Sequence, residues 1–194
     1  MIRSFRLWLW VAVIALGLTA AAAALLLRPS AATSFGGGTY SLIDQNGNRV
    51  DQTMFLGHPS ALFFGYTHCP DVCPTTMAEM ATWFEQLGDE GKDLRAYFVT
   101  VDPQRDTPAI MGDYVAWVSG RITGVTGDPA EIDKIVKAWG IYAQKVPLGG
   151  ADYSMDHTAS VFLLNARGEF EGTIAYREDA ATALGKLRNL LAKS

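Results

Sequence analysis

"SALFFGYTHCPDVCPTTMAEMATWFEQL", residues 60–87, is the stretch on which the fold turns. It opens as an unbroken apolar, aromatic-rich run, the pattern of a central strand buried on both faces. Pro74 follows where a helix tolerates proline, in the first turn, because an N–H there would have no intrahelical partner. Met77, Met80, Ala81 and Phe84 then share one stripe at helical spacing until Gly88 ends it, so the methionines read as core. The segment is therefore strand, tight loop and helix, and the loop holds both cysteines of the chain, Cys69 and Cys73.

Working outward, the same alternation continues. "TYSLIDQNGNRVD", residues 39–51, carries two short strand-like runs about Asn46-Gly47, a hairpin signal. After the first helix, "LRAYFVTV" (94–101) is a strand and "DPQRDTP" (102–108) a loop, with Pro108 starting a second helix to about Val118. "GRITGVTG" (120–127) is a short strand. A third helix opens with Asp128 as N-cap, Pro129 at its first position and Glu131 completing a capping box. Residues 145–153 read as a glycine-containing loop, "TASVFLLN" and "EFEGTIAY" as a hairpin around Asn165–Gly168, and residues 178–192 as a closing helix. Strands alternating with helices and ending in a hairpin and helix give an α/β fold, a mixed sheet covered on both faces. Ligands in such sheets gather beyond the carboxyl ends of the parallel strands. The cysteine loop follows one such end and "VDPQRDTP" another, so the two are expected as neighbours on one rim.

The amino-terminal region is of a different kind. Leu7 to Leu27 runs 21 residues without a charge, and at roughly 1.5 Å per residue it spans about 30 Å, the hydrocarbon thickness of a bilayer. Arg3 and Arg6 precede it and Arg28 alone follows closely, which puts the N-terminus in the cytoplasm and the rest on the exported side. Residues 1–28 are thus expected to be a transmembrane anchor, 29–38 ("PSAATSFGGG") a flexible tether, and 39–194 the folded domain. A cleaved signal peptide ending near Ser30–Ala32 is the alternative, although the apolar run is long for one. Without Arg3, Arg6 and Arg28, 13 basic residues face 20 acidic ones, a net charge of −7 that argues against nucleic acid as a partner.

The cysteine pair admits three uses. As a staple it would close too short a loop to brace a domain of this size. As a redox pair it is permitted but not enforced: on an ideal helix the two β-carbons would lie about 5–6 Å apart, against about 3.5–4.5 Å in a disulfide. As metal ligands the two thiolates tolerate the wider separation. Cys73 precedes the expected helix by one residue, where the positive end of the dipole should favour its thiolate, unless Asp71 points inward. Two soft sulfurs in an exported protein favour copper(I), with a third donor expected. His58 reads as a solvated loop residue and His68 as a hydrogen-bonding neighbour of Cys69 that points away from it. His157, in "YSMDHTASVFLL", could reach the cysteine rim from a neighbouring strand, with Asp156 placed to orient it, or could be a plain hydrogen-bonding residue.

Three segments, "GYTHCPDVCP", "VDPQRDTP" and "DHTASVFLL", in this order behind a single amino-terminal anchor, resemble those of the Sco/SenC family of membrane-anchored copper chaperones for cytochrome c oxidase assembly. The resemblance spans about residues 38–192. It implies a thioredoxin-like fold, copper as Cu(I) or Cu(II) held by Cys69, Cys73 and His157, and a redox-active disulfide between Cys69 and Cys73. It further implies cytochrome c oxidase subunit two as target, through delivery of copper to its binuclear site or reduction of that site's cysteines, with other copper carriers as further partners. Asp102 and Asp106 read locally as a turn and a helix start, and with Asp156 they are candidates for supporting the metal ligands or docking a partner. A thiol-disulfide oxidoreductase that transfers no copper is the alternative function. A catalytic zinc site finds no clear general base to support it, and a peroxidase is a more distant resemblance.

Overall fold

The computed structural model describes residues 35–193 and, upstream of them, Gly17 alone. The expected anchor over 1–28, Gly17 apart, and the tether as far as residue 34 lie outside the described residues. Among those described, no helix is long and apolar enough to cross a membrane.

Seven strands form one mixed sheet. In chain order they are β1 (Leu42–Asp44), β2 (Arg49–Val50), β3 (Ser60–Gly65), β4 (Arg95–Thr100), β5 (Ile122–Thr126), β8 (Val161–Leu164) and β9 (Phe170–Ile174), and across the sheet they run β2-β1-β5-β4-β3-β8-β9. β3, β4 and β5 are parallel to one another, while β8 runs antiparallel to β3 and β1 to β5. Among residues 35–193 the α-helices are α1 (Val72–Leu87), α2 (Pro108–Val118), α3 (Pro129–Ala138) and α4 (Ala180–Ala192). Every residue of β3 is buried, as its unbroken apolar run requires.

Strand alternation sorts the core into two faces. Phe63 and Phe98 pair in register on one face, with Tyr114 of α2 stacked on Phe98, centroids 5.3 Å apart. Leu62, Phe64, Tyr97 and Phe162 turn to the other, where Trp139 at the end of α3 meets Phe162 and Phe55 edge to face. Phe35 joins this second cluster against Trp139, Phe162 and Phe170, and the Gly36 N–H donates to the Ala138 carbonyl at 2.8 Å. Residues 35 and 36 of the stretch expected to act as tether are therefore docked on the fold.

Two local expectations differ from the structure. Asp128 is the N-cap of α3, but Glu131 does not complete a capping box. Its carboxylate instead accepts the Ser41 N–H at 2.8 Å and Lys134 at 2.6 Å, so a tertiary donor has displaced the local one. The stretch expected as a loop over 145–153 belongs to an antiparallel hairpin of β6 (Ala143–Gly149) and β7 (Asp152–His157), a second sheet of two strands. Gly149 and Gly150 make its turn with φ of +107° and +62°, backbone that glycine adopts without strain.

Candidate metal centre

The carboxyl ends of β3 and β4 and the end of β7 converge on one rim. Cys69 lies in the loop after β3, Cys73 is the second residue of α1, and His157 is the last residue of β7. One ligand atom from each, two sulfurs and an imidazole nitrogen, lie within 4.8 Å of one another. Both thiols are free, Cys73 fully buried and Cys69 partly exposed.

Gly65 makes room for this arrangement. A β-carbon there would stand 2.7 Å from Cys73 Sγ and 2.6 Å from Phe98 Cε2, so the sulfur and the ring occupy the space a side chain would need. The loop then closes with the Cys69 N–H donating to the Tyr66 carbonyl at 3.3 Å. The Cys73 N–H donates to Cys69 Sγ at 3.4 Å. Together with a hydrogen bond between the two thiols, that contact favours the thiolate of Cys69. The helix begins at Val72, and the N–H it offers from its first turn is aimed at the sulfur of Cys69, not at that of Cys73. Hydrogen bonding from the Cys73 side chain, helped by His157 and by the Cys73 and Asp71 backbone, lowers the Cys69 thiol to about 3. The same contact, together with burial, pushes the Cys73 thiol well above its ordinary value. The expectation that Cys73 would be the activated thiol is thus reversed. Asp71, exposed, accepts a hydrogen bond from the Thr75 hydroxyl at 3.3 Å.

His157 is oriented by backbone. Its Nδ1 lies 3.0 Å from the Thr158 carbonyl, which can only accept, so Nδ1 carries a proton and Nε2 is the nitrogen turned to the sulfurs. Nε2 stands 3.4 Å from Cys73 Sγ. Phe63 and Tyr66 hold the ring edge to face, with centroids at 6.1 and 5.8 Å. Asp156 is exposed, and the group that orients the imidazole is the Thr158 carbonyl and not its carboxylate. A cleft of about 350 Å³, lined by Tyr66, Cys69, Asp71, Tyr142, Met155 and His157 among others, opens this side of the site to solvent.

The loop after β4 supports the cysteine loop, as its place on the rim suggested. Asp106 is fully buried and accepts from the Thr67 hydroxyl (2.6 Å), the Thr67 N–H (3.1 Å) and the Thr100 hydroxyl. Burial raises its carboxyl above the usual range. The N-cap of α2 is Thr107, so Asp106 ties the cysteine loop to β4 where a helix start was expected. Asp102 makes the expected turn through its carbonyl, which accepts the Arg105 and Asp106 N–H groups. Its buried carboxylate also binds Arg105 and the Tyr153 hydroxyl. His68 is half exposed, its Nδ1 beside the Thr67 hydroxyl at 3.1 Å, and His58 lies in the loop before β3. Neither joins the donor group. Tyr66, Arg105 and Tyr153 escaped the sequence reading. The signal for Tyr153 is its alternation with Met155 and His157, visible once β7 is recognised as a strand.

A thioredoxin-like α/β domain whose carboxyl rim gathers two cysteines and an imidazole, open on one side, has the construction of a protein that handles a soft metal ion or exchanges thiols. The chain belongs to the SCO1/SenC family, whose model matches residues 28–192. It is 34% identical over 143 residues to the mitochondrial SCO1 homolog 1 of Arabidopsis thaliana, covering 73% of this chain and 43% of that protein. Against mitochondrial SCO1 of Saccharomyces cerevisiae it is 31% identical over 154 residues and covers 52% of that protein, so the chain spans about half the length of these relatives. A copper-bound structure of Bradyrhizobium japonicum ScoI superposes with a TM-score of 0.73 at 40% identity, over 79% of this chain and 98% of that one. Copper-bound yeast Sco1 gives 0.76 at 29% identity, over 83% and 90%.

Proposed function

We propose that this protein binds one copper ion on Cys69, Cys73 and His157 and acts as a copper chaperone in cytochrome c oxidase assembly, delivering the ion to the binuclear site of subunit two or reducing that site's cysteines. The observation that carries the reading is the convergence of three donor atoms within 4.8 Å from segments 84 residues apart in the chain. Soft thiolates favour copper(I), the imidazole suits either oxidation state, and similar ScoI and Sco1 structures hold copper. Residues 1–28 would anchor the chain, with the N-terminus cytoplasmic and the domain on the exported side.

The geometry suggests an order of events. Cys73 is buried and Cys69 partly exposed beside the cleft, so an acceptor thiolate approaches from the Cys69 and His157 side and Cys73 is the last ligand to let go. Because Cys73 holds its proton in the metal-free site, copper must displace that proton, and affinity should rise with pH. Anaerobically reduced protein is expected to bind one copper per chain, with His157→Ala weakening it by about 100-fold or more, since losing a group that only orients a ligand already costs about 10–100-fold. Unchanged affinity in that variant would remove His157 from the site.

A second reading, thiol-disulfide exchange without copper transfer, has its own observation: the unequal pair, with Cys69 lowered and Cys73 raised, separates an attacking thiolate from a buried partner able to close a disulfide. Replacing His157 distinguishes the two. A pure reductase would still support oxidase assembly in cells carrying His157→Ala, and a chaperone that uses His157 would not.

A further inference from the structure

We infer that Arg105, clasped between Asp102 and Tyr153, is a positioning residue that sets the reach of His157 toward the cysteine pair, an inference that rests on the metal-binding reading above. Among the described residues the β6–β7 hairpin pairs only with itself, and a two-stranded hairpin is marginal by itself in water. The placement of His157 therefore has to come from contacts between this hairpin and the rest of the rim.

Those contacts fall on one face of β7. Tyr153, Met155 and His157 alternate along the strand, so their side chains point the same way. Each of the three is gripped. Met155 packs against the main core, and its backbone meets the Tyr66 hydroxyl. His157 lies between Phe63 and Tyr66. Tyr153 is held by the loop after β4. Arg105 donates from Nε to the buried Asp102 carboxylate and from Nη1 to the Tyr153 carbonyl at 3.0 Å. Its guanidinium carbon lies 3.7 Å from the centre of the Tyr153 ring. The Tyr153 hydroxyl donates to the other Asp102 oxygen at 2.9 Å, which closes a ring of contacts. Lys145 of β6 adds its ammonium 3.5 Å from the centre of the same ring while donating to Gln104 at 3.1 Å.

Arginine suits this role for a geometric reason: one planar fork can bind a carboxylate, a carbonyl and an aromatic face together, which a lysine ammonium cannot. His157 lies four positions beyond Tyr153, roughly 13 Å along the strand. A hairpin freed at Tyr153 would pivot about its remaining grips at Met155 and His157, and its imidazole would be less well placed over the sulfurs.

The test uses the full chain with Tyr153→Phe, which removes only the hydroxyl, and Arg105→Lys, which keeps the charge and loses the fork. In the metal-free reduced protein, amide hydrogen exchange over residues 143–157 should speed up in both variants while β3 keeps its protection. Copper(I) affinity, read by chelator competition, should fall about 10-fold in each, the lower end of the range for groups that orient a ligand. In a His157→Ala background the same two substitutions should change copper affinity by less than about twofold, because the clasp acts through that imidazole. Unchanged exchange in the hairpin would overturn the inference, and so would an equal loss of affinity with and without His157. If His157→Ala itself left affinity unchanged, the metal reading would fall, whereas the exchange result would still report on the clasp.

Discussion

Gly65→Ala is the substitution whose outcome the structure constrains most tightly. The added β-carbon would arrive 2.7 Å from Cys73 Sγ and 2.6 Å from Phe98 Cε2. Non-bonded heavy atoms settle at about 3.5–4.0 Å, so the sulfur and the ring must each retreat by nearly 1 Å. Neither can leave toward solvent, because Cys73 and Phe98 are both fully buried. Overpacking of this kind costs about 1–3 kcal/mol, which for a domain of this size lowers Tm by about 3–10 °C. The metal site should suffer separately. Ligand distances are set to about 0.2 Å, several times less than the shift imposed on Cys73, so copper(I) affinity should fall by about tenfold or more. Thermal melting of the metal-free protein and chelator competition for copper read the two effects independently. Phe98→Leu in the Gly65→Ala background relieves the ring contact and leaves the sulfur contact, so it should restore part of the Tm and none of the copper affinity. A Gly65→Ala protein with both quantities unchanged would refute the close approach and the placement of Cys73 built on it.

Other outcomes follow from the same rim. In reduced metal-free protein, iodoacetamide should modify Cys69 before Cys73. A thiol lowered to about 3 is ionised above that value and gains protons only as the pH falls through it, so the rate should stay nearly flat from pH 8 to pH 5. An ordinary thiol would slow about tenfold per unit over that range, and such a slope, or Cys73 reacting first, would contradict the assignment. Asp106→Ala leaves the Thr67 hydroxyl, the Thr67 N–H and the Thr100 hydroxyl without their acceptor. At about 1–3 kcal/mol for a stranded buried donor, Tm should drop by about 5 °C or more, and an unchanged melt would show that the carboxylate is not what holds the cysteine loop.

The legible parts of the fold were those in which local pattern and tertiary demand agree. The apolar, aromatic-rich run at 60–65 reads as a buried central strand, and Pro74 marked the first turn of the helix behind it, so the rim with its two cysteines followed. The N-terminal hairpin about Asn46-Gly47 and the hairpin at 161–174 were legible for the same reason. What was missed depended on direction or on distant partners. Pro147 and the Gly149-Gly150 pair made β6 and β7 look like a loop, although the same two glycines build the turn. Glu131 answers to Ser41, 90 positions away, and no local rule contains that donor. The order of the two thiols turned on the hydrogen bond between them, with a backbone N–H aimed at Cys69, and spacing alone specifies neither. The site residues Cys69, Cys73 and His157 came from the family resemblance together with chemistry, since nothing in the spacing of His157 distinguishes a ligand from a hydrogen-bonded histidine.

X-ray absorption at the copper edge, recorded on the reduced chain loaded with one equivalent of copper(I), addresses the central proposal most directly. Two sulfur neighbours and one nitrogen in the wild type, with the nitrogen lost in His157→Ala, are the expected result. A spectrum with sulfur neighbours only, the same in both proteins, would contradict it.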